Sequence, residues 1–175
     1  MIIISVHGRA GQGVESAINV IANSLLSANL NVQTLYFPSD EKRGSHVYGI
    51  IKSDKNPIQS RQIEQSDIML IFDTTLHVKE LLAGTKEKSI VIFNSKDKQV
   101  YSEIKKKRIK SYALDATGIS IAAGAKTMPN IPMLGALAKN FNTVNMKSMK
   151  VGVEAFAKDG GLLIEEGYKN VKLVK

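Results

Sequence analysis

Ile2-Ile3-Ile4-Ser5-Val6-His7-Gly8-Arg9-Ala10-Gly11-Gln12-Gly13 carries an apolar, strand-like run through a glycine-rich turn into a segment with the helical period. Apolar residues then recur at Val14, Ala17, Ile18, Ile21, Ala22 and Leu25, so the glycines open a helix whose first amides point back toward the turn. A strand-turn-helix junction of this kind can hold an anion. It serves equally as a tight connection, because glycine without a Cβ accepts left-handed dihedrals and close backbone approach.

Two nucleotide motifs share parts of this pattern, and the turn departs from both. Gly8 and Gly13 have P-loop spacing, but Val14 and Glu15 stand where Lys and Ser/Thr would reach phosphates and magnesium, which removes the means of triphosphate hydrolysis. Read as a dinucleotide fingerprint from Gly11, the turn has Ser16 in place of the third glycine. The acid at the expected distance, Asp40, falls in a Pro-Ser-Asp loop instead of at a strand end.

Outward from the turn, strands and helices alternate. Asn31 to Phe37 reads as a strand ending in the loop Pro38 to Ser45, and a second strand near Val47 to Lys52 follows with no helix between. Ile68 to Phe72 and Ile90 to Phe93 are short continuous apolar runs suited to strands covered on both faces, with a helix expected between them over Thr75 to Ala83. Ser111 to Leu114 is a further strand leading into Asp115-Ala116-Thr117-Gly118 and an alanine-rich helix. Pro129-Asn130-Ile131-Pro132 then fixes a loop and starts a helix over Met133 to Phe141, with another over Met146 to Ala157. The pattern predicts one three-layer αβα domain over residues 1–175: a predominantly parallel mixed sheet flanked by helices, with the Gly8–Gly13 turn at the carboxyl end of the first strand.

At 175 residues the chain can bury about 70% of the surface its unfolded form exposes and needs no disulfides. It contains no cysteine, which excludes a cysteine-ligated iron-sulfur cluster, a thiol nucleophile and a disulfide framework within these residues. Only a four-residue apolar run precedes Ser5, without a basic leader, and no apolar stretch approaches membrane-spanning length, so a soluble cytoplasmic protein is expected. The net charge of +8 comes entirely from the second half: residues 1–85 carry 7 basic and 8 acidic side chains, residues 86–175 carry 17 and 8. The densest cluster, Lys105 to Arg108 flanked by Ile104 and Ile109, with Lys110 just beyond, has no interleaved aromatics, which favours a solvated face over a nucleic-acid site. His7, His46 and His77 lack metal-ligand spacing, and no metal is expected. Met128, Met133, Met146 and Met149 read first as core and second as a subunit interface. Taken alone, these residues leave open a free-standing nucleotide-binding oxidoreductase and a basic nucleic-acid-binding scaffold.

Several landmarks in sequential order narrow that choice. The glycine-rich opening with Gln12-Gly13, Arg43-Gly44-Ser45, Asp73-Thr74, Asp115-Ala116-Thr117-Gly118, the run Pro129 to Ala136 and the closing Glu165-Glu166-Gly167-Tyr168 together resemble the gamma subunit, or gamma-equivalent domain, of pyruvate and other 2-oxoacid:ferredoxin oxidoreductases. Arg9-Ala10-Gly11 stands where a double glycine is commoner in that family, and Ser45 where Gly or Ala is. The resemblance implies a component of an enzyme that oxidatively decarboxylates a 2-oxoacid, forms the acyl-coenzyme A and passes electrons to ferredoxin or flavodoxin. It implies alpha, beta and optional delta companion subunits that hold thiamine diphosphate, magnesium and iron-sulfur clusters, with coenzyme A as a shared ligand and the isolated chain inactive. No catalytic residue is expected here. Gly8, Gly11, Gln12, Gly13, Arg43, Gly44, Ser45, Pro129 and Asn130 are expected to bind ligand or face a partner, whereas Asp73 and Asp115 read as residues that shape the loops after their strands, through Asx turns or helix caps.

Overall fold

The computed structural model describes residues 1–39, 44–97, 102–125 and 128–174. Within them the chain runs β1 (Ile2–Arg9), α1 (Val14–Leu26), β2 (Asn31–Phe37), β3 (His46–Asp54), β4 (Ser66–Ile71), α2 (Val78–Ala83) and β5 (Thr85–Asn94). It continues through α3 (Ser102–Lys106), β6 (Lys110–Leu114), α4 (Ala116–Ala122), α5 (Asn130–Asn140), α6 (Met146–Glu154), α7 (Gly160–Asn170) and the short β7 (Lys172–Leu173). The strands form one sheet in the order β2-β3-β1-β4-β5-β6-β7. β1, β4, β5 and β6 pair in parallel, β3 is antiparallel to both β1 and β2, and β7 is antiparallel to β6. Five strands therefore point the same way, as the alternation of elements predicts.

The continuous apolar runs follow from burial on both faces. Ile68 and Leu70 of β4 join Ile4, Val6 and Ile92 beneath α1, α5, α6 and α7, while Met69 and Ile71 join Val91 and Phe93 beneath Val78 and Leu82 of α2 and Ile104 of α3. Met133 and Met149 are core residues of the first cluster. The basic cluster is mostly a solvated edge, but Lys107 Nζ donates to the carbonyls of Leu82, Ala83 and Thr85, supplying positive charge where α2 ends.

The region between β3 and β4 has no helix or strand over 57–65, yet its path is fixed. Lys52 of β3 is fully buried, and its ammonium donates to the carbonyls of Ser60 and Gln62 at 3.2 and 2.5 Å and lies 3.3 Å from Glu64 Oε1.

The structure departs from the sequence reading in several places, among them the end of α6, at Glu154 instead of Ala157. The helix expected from Thr75 starts at Val78, because the carboxylate of Asp73 binds the amide and hydroxyl of Thr75 in an Asx turn. The helix expected from Met133 starts at Asn130, with the two prolines placed at its N-cap and in its first turn, where missing amides cost nothing. The sequence also gave no signal for α7, whose Gly160, Gly161 and Gly167 are poor helix formers. Packing overrides that propensity: a Cβ at Gly167 would lie 1.9 Å from the Pro132 carbonyl oxygen, and one at Gly135 of α5 would lie 1.9 Å from the Ile164 carbonyl oxygen. α5 and α7 thus touch backbone to backbone, and α5 is buried along Asn130 to Ala138.

Gly135→Ala should therefore destabilise the chain by about 3 kcal/mol, since the clash is with backbone and no rotamer relieves it. Urea unfolding measures this; a loss under about 0.5 kcal/mol would mean that the two helices can separate freely.

Candidate functional site

The sheet order creates a crevice at the carboxyl ends of β1 and β4. From β1 the chain turns to one side of the sheet, through α1 to β2 and β3, and from β4 it turns to the other, through α2 to β5 and β6. The loops leaving β1 and β4 diverge there, which is the position where open α/β sheets place their ligands.

The turn after β1 is built by its own residues. Gly13, the N-cap, takes a left-handed φ of 76° and has no side chain with which to cap α1, so among the described residues the first amides of this thirteen-residue helix stand uncapped at the crevice. The Gln12 side chain folds back, Oε1 accepting from the Arg9 amide at 2.8 Å while Nε2 donates to Asp73 Oδ2 at 3.0 Å. Gln12 thereby ties the β1 turn to the β4 loop. Gly11 also has positive φ, and a Cβ there would meet nothing within 4 Å, so this part of the turn faces open space.

Arg9, at the end of β1, clamps three segments. Its Nη1 donates to the Gly44 carbonyl at 2.8 Å, its Nη2 to Thr75 Oγ1 at 2.7 Å, and its Nε lies 3.2 Å from Asp73 Oδ2. The Ala10 amide adds a bond to the Ser45 carbonyl at 2.9 Å. Burial alone pushes the Asp73 carboxyl up, but the bonds from Thr75 and Gln12 and the Arg9 charge outweigh it and hold the carboxyl below its usual range. Asp73 is consequently an anchor, consistent with the loop-shaping role expected for it. Asp115 is likewise a cap, accepting from the Gly118 amide at 2.8 Å.

Gly8, Gly11, Gln12, Gly13, Gly44 and Ser45 are thus neighbours in space, and Asn130 joins them from the far end of the chain. Its Nδ2 would lie 2.3 Å from a Cβ on Gly13, so only glycine fits there. Asn130 is fully buried, and neither its Oδ1 nor its Nδ2 has a hydrogen-bond partner among the described residues. Pro129 is buried beside it as the α5 N-cap. Arg43 lies outside the described residues. Sequence reasoning missed Arg9 and Thr75 as organising residues, because they meet only across 66 positions of sequence.

His7 and His46 meet on one face of the sheet. His7 Nδ1 is 3.3 Å from His46 Nε2, and the rings stack with Tyr48 and Phe37 across β1, β3 and β2. Burial first, and then the nearby His46, lowers the His7 pKa to about 3. Burial first, and then the Arg9 charge, lowers that of His46. Among the described residues no three His, Asp or Glu side chains form a metal-holding group, and no helix is long and apolar enough to cross a membrane.

Comparison with known proteins agrees with this architecture. The family model described as pyruvate ferredoxin/flavodoxin oxidoreductase matches residues 3–174, and the chain belongs to that family. It is 34% identical over 177 residues to the pyruvate/ketoisovalerate oxidoreductases common subunit gamma of Thermococcus kodakarensis, covering 98% of this chain and 92% of that protein. It is 30% identical over 153 residues to the pyruvate synthase subunit PorC of Thermotoga maritima, covering 85% and 78% of the two. The crystal structure of the Thermotoga maritima pyruvate oxidoreductase subunit PORC superposes with a TM-score of 0.83 at 26% identity, covering 99% of this chain and 98% of that one. The fold also recurs in 29% of a longer 2-oxoglutarate:ferredoxin oxidoreductase chain from Magnetococcus marinus, at a TM-score of 0.77 and 19% identity. The chain is accordingly a gamma-type oxidoreductase subunit, and the readings as a free-standing nucleotide-binding enzyme or a nucleic-acid scaffold lose their support.

The depressed His7 pKa sets a pH dependence. A histidine that titrates at about 3 when folded and at 6.5 when unfolded stabilises the fold fully above 6.5, and that contribution is lost as pH falls toward 3. From pH 7 to 5 the loss should be about 2 kcal/mol from this residue. His7→Gln should flatten the dependence in that window, and denaturant titrations at both pH values read the difference; equal slopes in the two proteins would show that His7 does not remain neutral.

Proposed function

We propose that the chain is the gamma subunit of a thiamine-diphosphate-dependent oxidoreductase acting on pyruvate or a related 2-oxoacid, and that its switch-point crevice helps to receive coenzyme A. The observation that carries this reading is the uncapped start of α1 beside the unpartnered amide of Asn130. Unbonded helix amides favour an anionic group such as a phosphate. Gly8, Gly11, Gln12 and Gly13 would line the backbone side of such a site, with Gly44, Ser45 and Asn130 around it, Pro129 fixing the entry to α5 and Arg43 supplying charge from its place in the sequence. Coenzyme A, when bound, supplies the thiol that accepts the acyl group. The residues of this chain orient it, and none of them takes part in bond making.

The other cofactors belong to companions in this reading. No cysteine is available for an iron-sulfur cluster, and the described residues offer no carboxylate-histidine group for magnesium. Alpha, beta and optional delta subunits would hold thiamine diphosphate, magnesium and the clusters, and ferredoxin or flavodoxin would accept the electrons. Residues 1–175 act as one domain, in the cytoplasm.

Native copurification is the direct test. The chain should elute with larger subunits that contain thiamine diphosphate and iron, and consistent isolation alone under mild conditions would remove the basis of the proposal. Within the assembled enzyme, Arg43→Ala should raise the KM for coenzyme A roughly tenfold, the loss of about 1.4 kcal/mol of binding, while leaving the Tm of the isolated chain nearly unchanged. A variant that matches the parent in assembly, turnover and KM would show that Arg43 takes no part in receiving coenzyme A.

A further inference from the structure

At the end of the sheet opposite the crevice, where β6 begins, α3 closes on itself. The Ile109 amide donates to the Ile104 carbonyl at 3.1 Å and the Arg108 amide to the Lys105 carbonyl at 3.3 Å, the paired bonds of a Schellman turn. This closure turns Ile104 and Ile109 into the core, 0% and 2% exposed, and leaves Lys105, Lys106 and Arg108 outside. Arg108 takes the left-handed position of the turn, at a φ of 54°, where glycine is the usual residue. Lys88 of β5 is left-handed too, at 61°, and its amide donates to the Lys107 carbonyl at 3.0 Å, which brings it alongside. Lys110 follows as the first residue of β6.

Residues 86–88 and 103–110 hold seven cations against the acids Glu87 and Glu103. Two of the seven are engaged within the fold: Lys86 lies 2.9 Å from Asp67 Oδ2, and Lys107 holds the carbonyls at the end of α2. The other five, Lys88, Lys105, Lys106, Arg108 and Lys110, are exposed, and among the described residues none of their side chains has an ion-pair or hydrogen-bond partner. Like charges gathered on one edge repel one another, and two of them occupy backbone positions that glycine or asparagine would take at less cost. Hydrogen bonding inside the fold leaves these five charges unused.

We propose that this edge docks against an acidic face of a companion subunit, an inference that rests on reading the chain as part of a multisubunit oxidoreductase. Complementary charge steers two such faces together and fixes their register. An electron carrier docks where electrons leave, and a chain without cysteine holds no iron-sulfur cluster to release them. Single-stranded nucleic acid calls for aromatic rings among the cations, and residues 102–111 contain none. Docking here leaves the crevice, at the other end of the sheet, open.

The full chain is titrated calorimetrically with the companion subunits expressed without it, at about 50 and about 500 mM salt. The parent Kd should rise at least about tenfold between the two. The triple variant Lys105→Gln, Lys106→Gln, Arg108→Asn removes charge while giving the left-handed position a residue that accepts it, so its Tm should match the parent's. At the lower salt it should bind at least about tenfold more weakly and lose most of the salt dependence. Lys88→Glu, outside α3, should weaken binding in the same direction, which keeps the test decisive if the triple variant fails to fold. Parent-like affinity and salt dependence in these variants would overturn the inference. Intact assembly with slower electron delivery to ferredoxin would also overturn it, assigning the edge to a carrier. A DNA duplex that displaces the companions in a salt-sensitive way would do the same in favour of nucleic acid. If the parent chain itself does not bind the companions, the subunit reading falls and takes this inference with it.

Discussion

The backbone contact between α5 and α7 governs the rest of the molecule. Gly135 and Gly167 let each helix rest on a carbonyl of the other, and this approach places α5 deep in the larger core, apolar on almost every side. Its first turn then arrives at Gly13 from a point distant in the chain, with Asn130 against the glycine. The position of the crevice wall is therefore set by close packing at Pro132 and Gly135, within about a turn and a half of Asn130. A helix that contributes this much buried surface cannot shift by an ångström without repacking its neighbours.

At the crevice, the ordering is polar. Gln12, Arg9, Asp73 and Thr75 form a closed set of bonds across β1 and β4, joined to the loop before β3 through the Gly44 and Ser45 carbonyls. Most of the Arg9 donors are committed to this set, so the side chain spends its charge holding loops together. What remains free for a ligand is backbone: amides at the head of α1, presented by a turn with an exposed Gly11. Such a surface suits the ligand-orienting role proposed above.

The sheet and the turn after β1 were legible because their signals are local. Val14 to Leu25 declares one buried helix face, and the alternation of Ile68 and Leu70 against Met69 and Ile71 requires cover on both sides of a strand. α7 was illegible because its glycines lower helix propensity, and their purpose depends on α5, which is near only after folding. The same limit hid the Arg9 clamp, whose partners Gly44 and Thr75 are 35 and 66 residues away, and the histidine stack, which exists only through the antiparallel register of β1 and β3. Asn130 was singled out from its motif, but its contact with Gly13 could be found only in three dimensions.

Lys52 gives the irregular segment over 57–65 an unusual thermodynamic status. Surface coil ordinarily opens and closes far more readily than the sheet beneath it. Here the coil supplies the carbonyls that solvate a cation rooted in the sheet interior, so peeling it away would strand that cation without ligands unless β3 also moved. Opening of the coil is thereby coupled to opening of the strand, and the two behave as a single cooperative unit despite the lack of any regular ladder between them.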